Sequence, residues 1–187
     1  MSTAKITPYI SENEYLQGEL QSDVRHEYVD GSTYAMSGAK VAHNRIATNV
    51  LLSVGSQLKG HPCEVFNSDM KVRIQLKDHT RFYYPDAMVV CESNDRDALF
   101  QDKPVILFEV LSDSTRRVDT GEKFDAYLKI ESLTHYVLLE TDQLTAVVYE
   151  RGHTEWERSH LTTPNDTIRF EQLGIELGLG DIYGRVL

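Results

Sequence analysis

Cysteine is scarce in this chain, and the two present, Cys63 and Cys91, stand alone with no CxxC spacing. That excludes a CxxC metal or redox motif and leaves reduced core thiols as the expectation. Long hydrophobic runs are absent as well. None approaches the roughly 18 residues of a membrane span, so no membrane partner is expected. The N-terminal Met1-Ser2-Thr3-Ala4-Lys5 carries no apolar signal region, which implies a cytoplasmic protein. Positive charge is also in deficit. A net charge of −10 argues against a protein that coats nucleic acid nonspecifically. Internal repeats, low-complexity tracts and a Gly-rich phosphate loop are missing too.

What is present fits one ordinary globular domain, residues 1–187, long enough to bury a full core. The charge is uneven along it. From Lys40 to Arg81 there are seven basic residues against three acidic ones, so that segment is +4 and the remainder −14. Such a split reads as two solvated faces, and it also permits a local phosphate-facing surface.

Element signals follow in chain order. Ser11 with Glu14 has capping-box spacing and predicts a short helix within residues 8–21. Asp30-Gly31 between two β-prone arms predicts a hairpin, with Glu27 on its first arm. From Ala39 to Leu58, apolar residues at three- and four-residue steps predict an amphipathic helix that Gly60-His61-Pro62 ends. His43 and Asn44 lie in its first turns, where a lone histidine reads as a surface or packing residue.

Met70, Val72, Ile74 and Leu76 alternate with polar residues, the pattern of a half-exposed strand. Arg81 to Cys91 reads as one continuous, more central strand. Val105 to Leu111 reads as a doubly buried one, followed by Ser112-Asp113-Ser114-Thr115, suited to a turn and N-cap. A helical pattern from Asp119 to Ile130 puts Lys123 at the edge of the apolar stripe of Phe124, Tyr127 and Leu128, where its stem can lie along that surface. Asp119, one turn earlier, can pair with it. His135 to Glu140 is a further buried strand. Residues 146–150, 155–161 and 167–170 read as antiparallel strands, and the tail from Leu173 to Leu187 as ordered and packed.

Two carboxylates, Asp86 and Glu109, stand in otherwise apolar strands, where an unpaired charge costs several kcal/mol. Two carboxylates on neighbouring strands can hold Mg²⁺ or Mn²⁺ while leaving positions for water and phosphate. The Val110 carbonyl is the natural backbone ligand. A lysine can lower the pKa of a bound water or oppose charge in the transition state. The alternative is that backbone amides, Arg116 or Lys123 satisfy both carboxylates and no chemistry follows.

The ordered motifs Tyr84-Pro85-Asp86, Phe108-Glu109-Val110-Leu111-Ser112-Asp113-Ser114-Thr115 and Asp119-Thr120-Gly121-Glu122-Lys123-Phe124-Asp125-Ala126-Tyr127 closely resemble the Uma family. These are bacterial proteins of the PD-(D/E)XK, restriction-endonuclease-like superfamily. Arg25-His26-Glu27-Tyr28-Val29-Asp30-Gly31, Tyr34-Ala35-Met36-Ser37-Gly38 and His43-Asn44 fit the same family, and the resemblance covers about residues 10–185.

The resemblance implies an α/β (mixed α+β) fold: a central mixed sheet flanked by helices, with extra antiparallel strands toward the C-terminus. It implies a Mg²⁺- or Mn²⁺-dependent DNA endonuclease acting as a homodimer, with Asp86, Glu109 and Val110 at the metal and Asp86, Glu109, Lys123 and Glu27 catalytic. Asp69 is a weaker candidate. One departure stands out: the superfamily lysine falls two residues after the glutamate, where this chain has Leu111. Lys123 on the following helix matches the family's replacement. The competing reading is a noncatalytic binding or assembly module that keeps the fold.

Overall fold

The computed structural model describes residues 8–113 and 115–186, so the N-terminal segment Met1–Lys5, Ser114 of the expected turn and Leu187 of the tail lie outside the described residues. Helix α1 (Glu12–Glu19) begins at the expected capping box. Ser11 Oγ accepts the Glu14 N–H at 3.3 Å and the Glu14 carboxylate accepts the Ser11 N–H at 2.8 Å. Strands β1 (His26–Val29) and β2 (Ser32–Ala35) form the hairpin. Its turn residues Asp30 and Gly31 have φ of 50° and 92°, both in the left-handed region that a two-residue primed turn demands. The Tyr9 ring packs so closely on Gly31 that a Cβ there would overlap it.

Helix α2 (Val41–Gln57) buries Ile46, Val50 and Val54 along one stripe. Strands β3 (Glu64–Asn67), β4 (Lys71–Gln75), β5 (Thr80–Tyr83) and β6 (Ala87–Val90) come next, then short β7 (Phe100–Gln101) and central β8 (Pro104–Leu111). A π-helical turn, Val118–Glu122, runs into α3 (Lys123–Tyr127). Strands β9 (His135–Glu140), β10 (Ala146–Arg151), β11 (Trp156–Leu161), β12 (Thr167–Phe170) and β13 (Ile175–Gly178) and helix α4 (Leu179–Ile182) complete the chain.

Among the described residues these strands make a five-stranded sheet ordered β2-β1-β5-β4-β7, a six-stranded sheet ordered β11-β10-β9-β8-β6-β3, and the β12-β13 pair. In the larger sheet β8 runs parallel to β9 and antiparallel to β6. The mixed α/β architecture expected from the sequence is therefore present. Its core has two sides. Ile106, Phe108 and Val110 of β8 pack with α2, β13 and α4, while Leu107 and Leu111 pack with Tyr83, Tyr127 and Tyr136 on the other face. The tail folds back on its own domain, with Leu179 and Ile182 fully buried.

Four expectations need correction. The run from Arg81 to Cys91 is two strands in different sheets, because Pro85 has no N–H to give a ladder and the chain crosses between sheets there. Lys71, expected on an exposed face, is buried over the Tyr84 ring, its ammonium 5.0 Å from the centroid; burial lowers its pKa. Cys63 and Cys91 flank the paired strands β3 and β6 and are joined in a disulfide rather than held as separate thiols. The basic segment is solvated only in part: Lys40, Arg45, Lys59 and Lys77 are exposed, but Arg73 pairs with Asp102 at 2.8 Å and Glu12 at 3.1 Å, and Arg81 with Asp30 at 3.2 Å.

Gly31→Ala tests the hairpin that carries Glu27. The left-handed penalty predicts a loss of about 1–2 kcal/mol in urea unfolding, with the Tyr9 contact adding to it. Wild-type stability in this variant would contradict the turn geometry.

Candidate active site

Glu109 is the residue that the surrounding elements converge on. It lies between Leu107 and Leu111 on the aromatic face of β8 and is 3% exposed. The pairing of Ala87 with Phe108 sets Asp86 opposite it, just where β6 begins. Because β6 pairing extends no further along β8, the Val110 N–H is left to a side chain. Asp86 Oδ2 accepts it at 2.7 Å. The same oxygen lies 3.3 Å from His43 Nε2, which reaches it from the first turn of α2.

The other face brings the lysine. Lys123 Nζ donates to Glu109 Oε1 at 3.2 Å and pairs with Glu27 Oε1 at 2.8 Å and Asp119 Oδ1 at 3.3 Å. Tyr127, one turn beyond, donates its hydroxyl to the same Glu109 Oε1 at 2.9 Å. Asp119 and Lys123 are four residues apart and share one side of the helix, and the π-helical turn between them is of a kind that recurs at functional sites. The Tyr136 hydroxyl fixes that turn by donating to the Asp119 carbonyl at 3.0 Å.

Electrostatics make the cluster unusual. Glu27, Asp86, Glu109 and Asp119 are four carboxylates grouped around one lysine and one histidine. Burial opposes the charge on Lys123, but Glu109, Glu27 and Asp119 outweigh it and hold the ammonium pKa well above its ordinary value. Burial is also the first cause at Glu109, and it pushes the carboxyl up. Lys123 pulls it down, Asp119, Asp86 and Glu27 push it further up, and it ends well above the usual glutamate value. Both partners shift upward. A lysine that grips its proton and a glutamate that resists losing one describe the same thing, a site short of positive charge. At His43, burial works against the imidazolium, yet the hydrogen bond to Asp86 and its charge raise the pKa overall.

Asp86, Glu109, Lys123 and Glu27, picked out in the sequence, thus meet in one place, and the Val110 backbone meets them. Asp69 does not; it pairs with Arg25 at the surface at 2.6 Å. Arg116 does not partner the site either, because it grips Glu140 with both arms at 2.5 and 2.6 Å. Leu111 is 2% exposed and packed in the core, so no cation comes from that strand position. Sequence reasoning assigned His43 to the surface or to packing, whereas it reaches Asp86 at 3.3 Å; the expected Asp119–Lys123 pair is present at 3.3 Å. His43 was findable: it lies three residues before Ile46, on the helix stripe that Val50 and Val54 continue. The π turn at Asp119 left no sequence signal.

Among the described residues no group of three or more His, Cys, Asp and Glu side chains is arranged to hold a metal ion. The donor set at β6–β8 is of another kind, two carboxylates with neighbouring backbone, and it fits a hard divalent cation. Lys123 and Tyr127 both take Glu109 Oε1, and Val110 and His43 both take Asp86 Oδ2. These contacts leave Asp86 Oδ1 and Glu109 Oε2, two oxygens in a negative cluster. A cavity of about 440 Å³ lined by Tyr9, Glu12, Lys77 and His79 lies elsewhere and includes none of these residues.

A family model named Uma2 and described as "Putative restriction endonuclease" matches residues 12–180. An uncharacterized protein of Synechocystis sp. is 32% identical over 178 residues, covering 94% of this chain and 92% of that relative. A second uncharacterized Synechocystis protein is 28% identical, covering 94% of this chain and all of its own length. In fold, the chain is similar to the crystal structure of a "putative nuclease belonging to DUF820" from Anabaena variabilis. The TM-score is 0.72 at 17% identity, covering 92% of this chain and 98% of that one.

The charge balance predicts opposite outcomes for two substitutions. The raised Glu109 pKa means that the folded state holds this proton more tightly than the unfolded chain. The resulting stability is complete below the unfolded glutamate value of about 4.3 and is lost as pH rises through the folded value. Glu109→Gln stays neutral throughout. It should therefore melt above the wild type at pH 8 in chelator, with the gap closing toward pH 4. Lys123→Met strands the buried Glu109 and Asp119 and the partly exposed Glu27 and should cost about 3–5 kcal/mol. A Glu109→Gln protein several kcal/mol less stable than wild type at pH 8 would contradict the balance.

Proposed function

The chain belongs to the Uma2 family, and from that premise we propose that it is a divalent-metal-dependent DNA endonuclease that hydrolyses phosphodiester bonds at the Asp86–Glu109 centre. The observation that carries the proposal is the meeting of Asp86, Glu109, Glu27 and Lys123 from separate elements in one negatively charged, half-enclosed cluster. A structural role asks only for a neutral, satisfied cluster. An excess of carboxylates over cations suits a site that gains a cation.

In this reading Asp86, Glu109 and the Val110 carbonyl would hold Mg²⁺ or Mn²⁺. Such an ion supplies an activated water and opposes charge on the phosphate. The chain's own residues prepare that centre. Val110 N–H and His43 hold Asp86 by one oxygen, fixing the direction of the other. Lys123 and Tyr127 hold Glu109 in the same way. Glu27 steadies Lys123 from the hairpin. Leu111 and the aromatic face exclude water from behind the carboxylates, which strengthens every charge interaction in front of them.

A protein of net charge −10 has little to draw a polyanion to its surface, so a cation held by Asp86 and Glu109 would offset their repulsion of a phosphate. A cytoplasmic homodimer, one copy per strand, would cut both strands of a duplex. A noncatalytic module is the second reading. It is favoured by the lysine being engaged by carboxylates rather than left free for a reacting group.

Cleavage separates the two. Purified wild-type protein with Mn²⁺ is expected to nick or linearise plasmid DNA, and chelator should stop it. Asp86→Asn and Glu109→Gln remove first ligands and should lose more than the roughly 10–100-fold typical of outer-shell changes. Equal cleavage by wild type and both variants would mean a contaminant and would overturn the proposal.

A further inference from the structure

The contacts of Lys123 point to more than a displaced motif residue. We infer that its ammonium is a tethered cation filling a second cation position, bounded by Glu27, Glu109 and Asp119, so that this chain has one exchangeable divalent-ion position instead of two. The inference deepens the metal-nuclease reading and shares its site, but its test turns on a difference that does not depend on that reading.

Three observations carry it. First, the ammonium lies 2.8 to 3.3 Å from carboxylate oxygens on three separate elements: β1, β8 and the π-helical turn. Convergence of that kind surrounds a point charge; it is not how a single salt bridge is built. Second, the contacts are mostly undirected. Glu27 Oε1 and Asp119 Oδ1 are buried and receive no hydrogen bond of acceptable geometry, although both sit within ion-pair distance of Nζ. What satisfies them is charge at close range, which a metal ion supplies equally well and a neutral donor does not. Third, the position is closed. The Lys123 side chain is 6% exposed, and Asp119 and Glu109 are 2% and 4% exposed. Its ring neighbour Tyr83 lies 5.5 Å from Nζ.

The chemistry is self-consistent. Glu109 is shared, with Oε1 given to Lys123 and Tyr127 and Oε2 left for the exchangeable ion. A bridging carboxylate between two cations is the usual arrangement in two-metal sites, and here one of the two is covalently part of the chain. Tethering also accounts for the departure of the motif. A lysine two residues after Glu109 would point from β8, whereas one on the following helix enters from behind Glu109 and neutralises it there. As they surround Nζ, at 2.8 to 3.3 Å, the carboxylate oxygens are not arranged to hold a metal ion. With the amine removed they would have to close by up to about 1 Å to meet Mn²⁺, because hard-ion ligand distances are about 2.0–2.6 Å.

The test is Mn²⁺ alone, titrated calorimetrically into wild type and Lys123→Ala, with bound Mn²⁺ counted by electron paramagnetic resonance. The inference expects Lys123→Ala to bind one equivalent more than wild type, and Lys123→Ala/Asp119→Asn to lose that extra equivalent. Equal stoichiometry in wild type and Lys123→Ala would overturn it. The absolute wild-type number reports on the other reading: no bound ion there speaks against the Asp86–Glu109 metal centre while leaving the difference measurable. If Lys123→Ala is unfolded without metal, circular dichroism serves instead. Refolding by millimolar Mn²⁺, but not by Na⁺ at matched ionic strength, supports the inference, and no refolding counts against it.

Discussion

One ammonium among three carboxylates, two of them buried, holds this structure's candidate site together. Lys123 ties β1, β8 and the π-helical turn to one point, and each of those elements is otherwise placed by a different part of the core. Without the positive charge, Glu27, Glu109 and Asp119 would repel at close range in a low-dielectric setting. With it they still exceed the cations available, and Asp86 adds a further negative charge across the strand. A folded protein that keeps such an imbalance gives up stability, and the proposed partner cation would relieve it. The same imbalance appears in the protonation behaviour: lysine and glutamate both hold their protons more firmly than usual.

The geometry that creates the centre begins with a proline. Pro85 ends β5 and sends the chain from the five-stranded sheet into the six-stranded one, so Asp86 lies at the start of a strand, with its side chain free to cap the next one. Beyond Phe108 the β8 backbone has no β6 partner, and Asp86 takes the Val110 N–H in its place. Helix α2 then brings His43 from one face while the π turn brings Lys123 from the other. The Cys63–Cys91 bridge ties β3 to the far end of β6 and so holds the edge of the sheet on which Asp86 depends.

Much of this was legible in the sequence, and what was not has physical reasons. The capping box, the Asp30-Gly31 hairpin, α2 and β8 are local patterns, and each appeared where its residues put it. Asp86 and Glu109 stood out because apolar strands rarely carry carboxylates, and the motifs around them matched a family over nearly the whole chain. The split at Pro85 was hidden by continuous apolarity on both sides of it. Lys71 broke the alternation because an aromatic ring, distant in simple pattern terms, gave its ammonium a seat. The pairing of Asp119 with Lys123 followed from their spacing, but its full burial did not, because that depends on strands distant in sequence. The disulfide needed the β3–β6 register, which spacing alone does not reveal.

The central claim is that Asp86 and Glu109 form a cation centre with Lys123 behind it. Anomalous diffraction from crystals soaked in Mn²⁺ tests this most directly. The account predicts a peak bonded to Asp86 and Glu109 carboxylate oxygens at about 2.0–2.6 Å, with Lys123 still contacting Glu27 and Asp119. No peak between those two carboxylates at saturating Mn²⁺, with both side chains ordered and Lys123 unmoved, would contradict it.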